Sequence, residues 1–142
     1  VGNRLDKQAA ELKQVAETER TADGILVNLK NDLLFRTGSA ALTPEATQQL
    51  GQLGGIMAKY PTNQITVVGH TDDVGTAATN ETLSKQRAAA VQEILIQNGI
   101  PAARVRTVGM GESQPAATGK SESVRAKNRR VELKIVDTEA KS

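Results

Sequence analysis

The chain has 142 residues, of which 38% are hydrophobic and 24% charged, proportions that suit one globular domain with a short appendage and exclude a wholly disordered protein. Phe35 and Tyr60 are the only aromatic residues and the net charge is only +2, so a base-stacking surface and a broad cationic face for nucleic acid are both excluded. There is no cysteine, which removes disulfides, thiolate metal sites and cysteine nucleophiles, and no apolar run approaches the roughly 20 residues that a membrane-spanning helix needs.

Residues 3–19 read as a polar helix whose apolar stripe (Leu5, Ala9, Leu12, Ala16) is thin, which fits a connector or a weakly packed helix. The segment 21–24 breaks it. Residues 25–30 alternate as a strand with Ile25, Val27 and Leu29 on one side, and 31–42 read as a strand fragment and loop turning at Gly38 and Ser39. Thr43 is placed as an N-cap and Pro44 as the first helical residue, with Ala46, Leu50, Leu53, Met57 and Tyr60 at helical spacing before Pro61. A β-branched strand over 64–69 runs into a polar loop. The next helix, 80–98, stops at Gly99. A strand then leads to Gly109 and Gly111, a loop spans 112–123, and a short helix precedes a last strand with Val131, Leu133 and Ile135 on one face. Strands separated by helices of this length predict crossover units and an α/β layer fold. The chain opens on Val1 without a signal segment, so it reads as a processed or trimmed product whose address lay upstream.

One residue breaks the pattern. At 100° per residue, the core stripe of the 80–98 helix is Leu83, Ala90, Val91, Ile94 and Leu95, and Arg87 falls inside it. A guanidinium stays charged at any ordinary pH, so placing it against a core is costly unless an acid meets it. Asp72, just past the preceding strand, is the nearest candidate. Strand end and helix start share one rim of the sheet, where open α/β folds tend to bind ligands. Two readings stay open on these residues alone: an ion pair that only fixes the loop, or a site. The small, glycine-containing loop "DDVGTAATN" leaves space beside the pair, and the arginine fork suits a carboxylate.

Other features carry less. His70, the only histidine, lacks the partners of a catalytic zinc site and reads as a strand-end residue with a local hydrogen bond. "GMGES" lacks the Lys-Ser/Thr of a phosphate loop and reads as a turn. Ser84 has no G-x-S-x-G setting for a nucleophile.

The stretch "GHTDDVGTAATNETLSKQRAAAVQEIL", followed by "GMGESQP" and "NRRVEL", resembles the OmpA-like domain family of non-covalent peptidoglycan binders, over about Ile25 to Val136. The resemblance implies an α/β sandwich of βαβαβ type with a mixed sheet packed by helices. It implies no enzyme activity, cofactor or metal. By motif position, Asp72 and Arg87 clamp diaminopimelate of the peptide stem, Asn80 and Leu83 line the same groove, Phe35 and Thr37 come from the preceding loop, and Arg129 sits at the rim. Many members carry an acid directly after the phenylalanine, where this chain has Arg36. The division that follows is a helical tether over 1–22, the binding domain over 23–138 and a disordered tail over 139–142.

Diaminopimelate ends in an ammonium and a carboxylate on one carbon. Asp72 would take the first and Arg87 the second, and without ligand the two would partly satisfy each other. Exchange of one ion pair for two leaves a modest gain, in the range of about −8 to −4 kcal/mol, with avidity from the repetitive wall. The resemblance thus implies a module that anchors an outer-membrane protein or lipoprotein to the cell wall from the periplasmic face of that membrane. A wall-active hydrolase and a protein-interaction domain with a defunct groove are the competing functions.

Overall fold

Alternating Val, Ile and Leu residues build the middle of one five-stranded sheet in the computed structural model, which describes residues 2–138. The strands are β1 (Glu17–Arg20), β2 (Gly24–Lys30), β3 (Asn63–His70), β4 (Val105–Gly111) and β5 (Arg130–Asp137), in the order β1-β2-β5-β3-β4. Only β3 and β4 run parallel, joined across α4 (Ala77–Gln97). The remaining pairs are antiparallel, so the sheet is mixed, as expected. Two longer helices, α1 (Gly2–Lys13) and α3 (Pro44–Ala58), join α4 against Val27, Val67 and Leu133 in one hydrophobic core. Two short helices, α2 (Asn31–Leu34) and α5 (Glu122–Asn128), follow β2 and precede β5. None of the helices among the described residues is long and apolar enough to cross a membrane.

The helix signals hold where capping chemistry is explicit. Thr43 caps α3 by accepting the amide of Ala46 at 3.1 Å, with Pro44 in the first turn. Gly99 follows α4 at a φ of +108°, a left-handed conformation that costs glycine nothing. The start of α4 lies three residues earlier than the pattern suggests, because Thr76 caps it through the Thr79 amide.

Three expectations are corrected. The N-terminal segment expected as a linker packs on the domain: Leu5, Ala9 and Leu12 are buried in the main core, Arg4 pairs with Asp137 at 2.6 Å, and the range 1–22 contains edge strand β1. A three-residue stripe is narrow but fully covered, and β1 (ETER) carries no hydrophobic alternation because an edge strand needs only backbone pairing and tolerates charge. Residues 31–34 form a helical turn rather than a strand fragment, which buries Asn31 and Leu34 and leaves Leu33 outside. The buried stripe of α4 is Asn80, Ser84, Arg87, Ala88, Val91 and Leu95, so Leu83, Ala90 and Ile94 flank it. The tail expected over 139–142 lies outside the described residues.

The rotation of α4 has a visible cause. A Cβ on Gly69 would meet the Ser84 carbonyl oxygen at 2.4 Å, and one on Gly109 would meet the Lys85 amide nitrogen at 2.6 Å. Two strands without side chains at these points let the helix backbone approach the sheet at Ser84, one turn before Arg87.

Because α1 is core, Leu12→Ala should cost about 2–5 kcal/mol, measured as a lowered urea midpoint by circular dichroism. A tether would show no change.

Candidate functional site

Register gathers the site. Lys30, the last residue of β2, and His70, the last of β3, both pair with Arg130, the first of β5. Residues just outside these three strand ends therefore share one rim: Asp32 on α2, Asp72 in the loop after β3, and Arg129 before β5. The start of α4 lies beside them. The 71–76 loop is held by its own polar groups: Asp72 Oδ1 accepts the Val74 amide at 3.0 Å, and Asn80 Nδ2 donates to the Val74 carbonyl at 3.0 Å and the Asp72 carbonyl at 3.3 Å.

Arg87 is only 4% exposed. Its Nε donates to the Ser39 carbonyl at 2.9 Å, and its guanidinium carbon lies 5.3 Å from the centre of the Phe35 ring. Burial lowers its pKa, while the fields of Asp32 and then Asp72 act in the opposite sense. Among the described residues nothing hydrogen-bonds its two terminal nitrogens. The fork is fixed at its base and free at its tip.

Arg129 is engaged far more fully. Its Nε and Nη2 each meet an Asp32 oxygen at 2.9 Å, its Nη1 meets Asp72 Oδ2 at 2.7 Å, and its Nη2 also reaches Glu122 at 2.6 Å. The hydrogen bonds it donates to Asp32 and then to Glu122 raise its pKa. This corrects the expected resting contact: Asp72 and Arg87 form no direct ion pair, and Asp72 is taken by Arg129 instead. The paired strand ends put Asp72 and Arg129 side by side, whereas Arg87 reaches the rim from nearly three turns inside α4 and finds Ser39 first.

A groove of about 640 Å³ opens between these groups. Of the residues expected there, Asp72, Arg87, Asn80, Leu83, Thr37 and Arg129 line it. Phe35 does not: it is buried beneath Arg87 and serves as the surface on which the guanidinium rests. Arg36 is exposed and outside the lining. Sequence reading missed Asp32, Glu122 and Arg125, which also face the groove. Asp32 fell in a stretch read as strand fragment and loop and Glu122 in one read as loop, and nothing in their spacing distinguishes them.

Behind the rim, His70 Nε2 meets Glu132 Oε1 at 3.0 Å, the local hydrogen bond expected for it. Glu132 also accepts from Arg130 Nε at 3.1 Å, and Arg130 donates to the Asn128 and Gln114 carbonyls, which ties the 112–121 loop to the sheet.

A five-stranded mixed sheet packed by helices, with a polar groove at the strand ends, defines an α/β sandwich. Residues 34–129 match the OmpA family, and the chain belongs to it. It is 34% identical over 140 residues to "Probable lipoprotein YiaD" of Escherichia coli (strain K12), covering 95% of this chain and 64% of that protein. It is also 34% identical over 115 residues to "Peptidoglycan-associated lipoprotein" of Rhizobium meliloti (strain 1021), covering 81% and 65%. The structure resembles the cell wall anchor of the T6SS from Pseudomonas aeruginosa, with a TM-score of 0.80 and 32% identity over 96% of this chain and 98% of that one. The chain spans less than two thirds of the length of these two lipoproteins.

The His70–Glu132 contact sets an acid limit on the rim. Hydrogen bonding from His70, then from Arg130, holds the Glu132 carboxyl down to about 2 against the opposing effect of burial. A depressed folded-state value means that the stabilisation is complete above the ordinary 4.5 and is lost as pH falls from there through about 2. Glu132→Gln should therefore be less stable than wild type at pH 6, on the order of 1–2 kcal/mol after solvent screening, and show a smaller decline between pH 5 and 2. Parallel urea titrations check this; equal slopes would refute the assignment.

Proposed function

We propose that this domain binds peptidoglycan non-covalently by gripping the zwitterionic end of diaminopimelate in the peptide stem. The ligand carboxylate meets the free tip of Arg87 and the ammonium meets Asp72 across the groove. The observation that carries this reading is the buried guanidinium whose terminal nitrogens lack a protein partner while facing a cleft that also holds an aspartate. A structural ion pair would leave no such unsatisfied fork. The names of the relatives support the reading: one is called peptidoglycan-associated, and one solved neighbour is described as a cell wall anchor.

The resting partners refine the energetics. Since Arg129 already occupies one Asp72 oxygen, the ammonium must share or displace that contact, and the new bond at Arg87 supplies most of the gain. Affinity is therefore modest, and firm retention on the wall comes from many sites per sacculus. A domain of this kind anchors an outer-membrane protein or lipoprotein to the wall from the periplasmic side, in keeping with the relatives named as lipoproteins.

Pull-down with purified sacculi tests the site. Wild-type protein should pellet, whereas Asp72→Ala and Arg87→Ala should stay in the supernatant while remaining folded by circular dichroism. Loss of one charge-assisted contact costs about 1.5–3 kcal/mol, roughly a ten- to hundredfold drop in affinity. Wild-type retention by both variants would overturn the proposal, and release of soluble fragments from the sacculi would point to a hydrolase instead.

A further inference from the structure

The two groove arginines differ in how they are spent. Of the five N–H donors of a guanidinium, Arg87 commits one to protein, whereas Arg129 makes four hydrogen bonds, all to carboxylates. Arg129 has little left to offer an incoming carboxylate. What it does instead is occupy the oxygen of Asp72 toward which a ligand ammonium must move.

We infer that Arg129 sets the selectivity of the groove, admitting a ligand end that bears both charges and disfavouring one that bears an ammonium alone. This rests on the diaminopimelate reading and assigns Arg129 a role in it other than ligand contact. An ammonium reaching Asp72 is brought close to the Arg129 guanidinium, and like charges at that separation repel strongly. A carboxylate on the same carbon offsets the repulsion by binding Arg87. A lone ammonium has nothing to set against it. With a neutral residue at position 129, the carboxylates of Asp32, Asp72 and Glu122 would face only Arg87 and Arg125, and Arg125 is already held by Asp73 at 2.7 Å. The groove would become anionic and accept plain ammonium groups. Specificity here comes from a built-in repulsion as well as from an attraction.

Isothermal titration with two synthetic stem peptides, identical except for diaminopimelate or lysine as third residue, tests this. Wild type should prefer the diaminopimelate peptide by at least about tenfold. Arg129→Gln should narrow the preference to under about threefold by gaining affinity for the lysine peptide, and Arg129→Lys, which keeps the charge, should restore it. Asp32→Asn tests the same idea with Arg129 in place: the change is at a half-exposed side chain, leaves Arg129 turned more fully toward Asp72, and should widen the preference. Circular dichroism confirms folding, and if Arg129→Gln fails to fold, Asp32→Asn decides alone. Equal loss of both peptides in Arg129→Gln would make Arg129 a simple contact and overturn the inference, as would an unchanged ratio or a preference that fails to widen in Asp32→Asn. Equal binding of both peptides by wild type overturns the selectivity but not the site. Binding of neither overturns the site as well.

Discussion

The burial of the Arg87 guanidinium within the packed face of α4 is the constraint around which the rim is built. Moving a permanent charge out of water is costly, and three features of this fold reduce that cost: the Ser39 carbonyl on Nε, the face of Phe35, and the fields of Asp32 and Asp72. They come from three separate segments, so the loop over 35–39, α2 and the loop after β3 must all be in place for the arginine to lie where it does. A side chain held this way has lost its freedom before any ligand arrives, which removes one of the usual entropic penalties of binding.

The same placement depends on the backbone beneath it. Gly69 and Gly109 let α4 settle against the parallel pair β3–β4, and Ser84 completes the seam by accepting the Gly111 amide at 3.0 Å. Arg129 needs no such device, since it stands at the mouth of β5 where three strand ends converge. One arginine is positioned by helix packing and the other by strand register. That difference explains why one is free at its tip and the other saturated with carboxylates.

Much of this was legible from residue order. The clash between helical periodicity and polarity at Arg87 marked a buried, groove-lining arginine, and the caps at Thr43 and Gly99 marked element ends. Such signals depend on neighbours within a turn or two, which sequence spacing captures. The resemblance added Asn80, Leu83, Thr37 and Arg129, all of which face the groove. What escaped depends on pairing between distant segments. The Arg129–Asp72 contact spans 57 residues and follows from the alignment of His70 with Arg130, which no local pattern encodes. Asp32 escaped for the same reason, lying 97 residues from the arginine it grips. The edge strand β1 and the buried α1 were misread because one has no alternation and the other has only a narrow stripe, and both are stabilised by what lies opposite rather than by their own composition.

The order of the strands has a mechanical consequence. β5 and β3 lie beside each other in the interior of the sheet, and β5 is bonded along its length on both sides. Asp72 and Arg129 sit directly off the ends of these two strands. Tension applied at the groove would thus enter through the interior strands, where ladders on either side must yield together. An edge strand would unzip one hydrogen bond at a time; a load delivered here is shared across the whole layer.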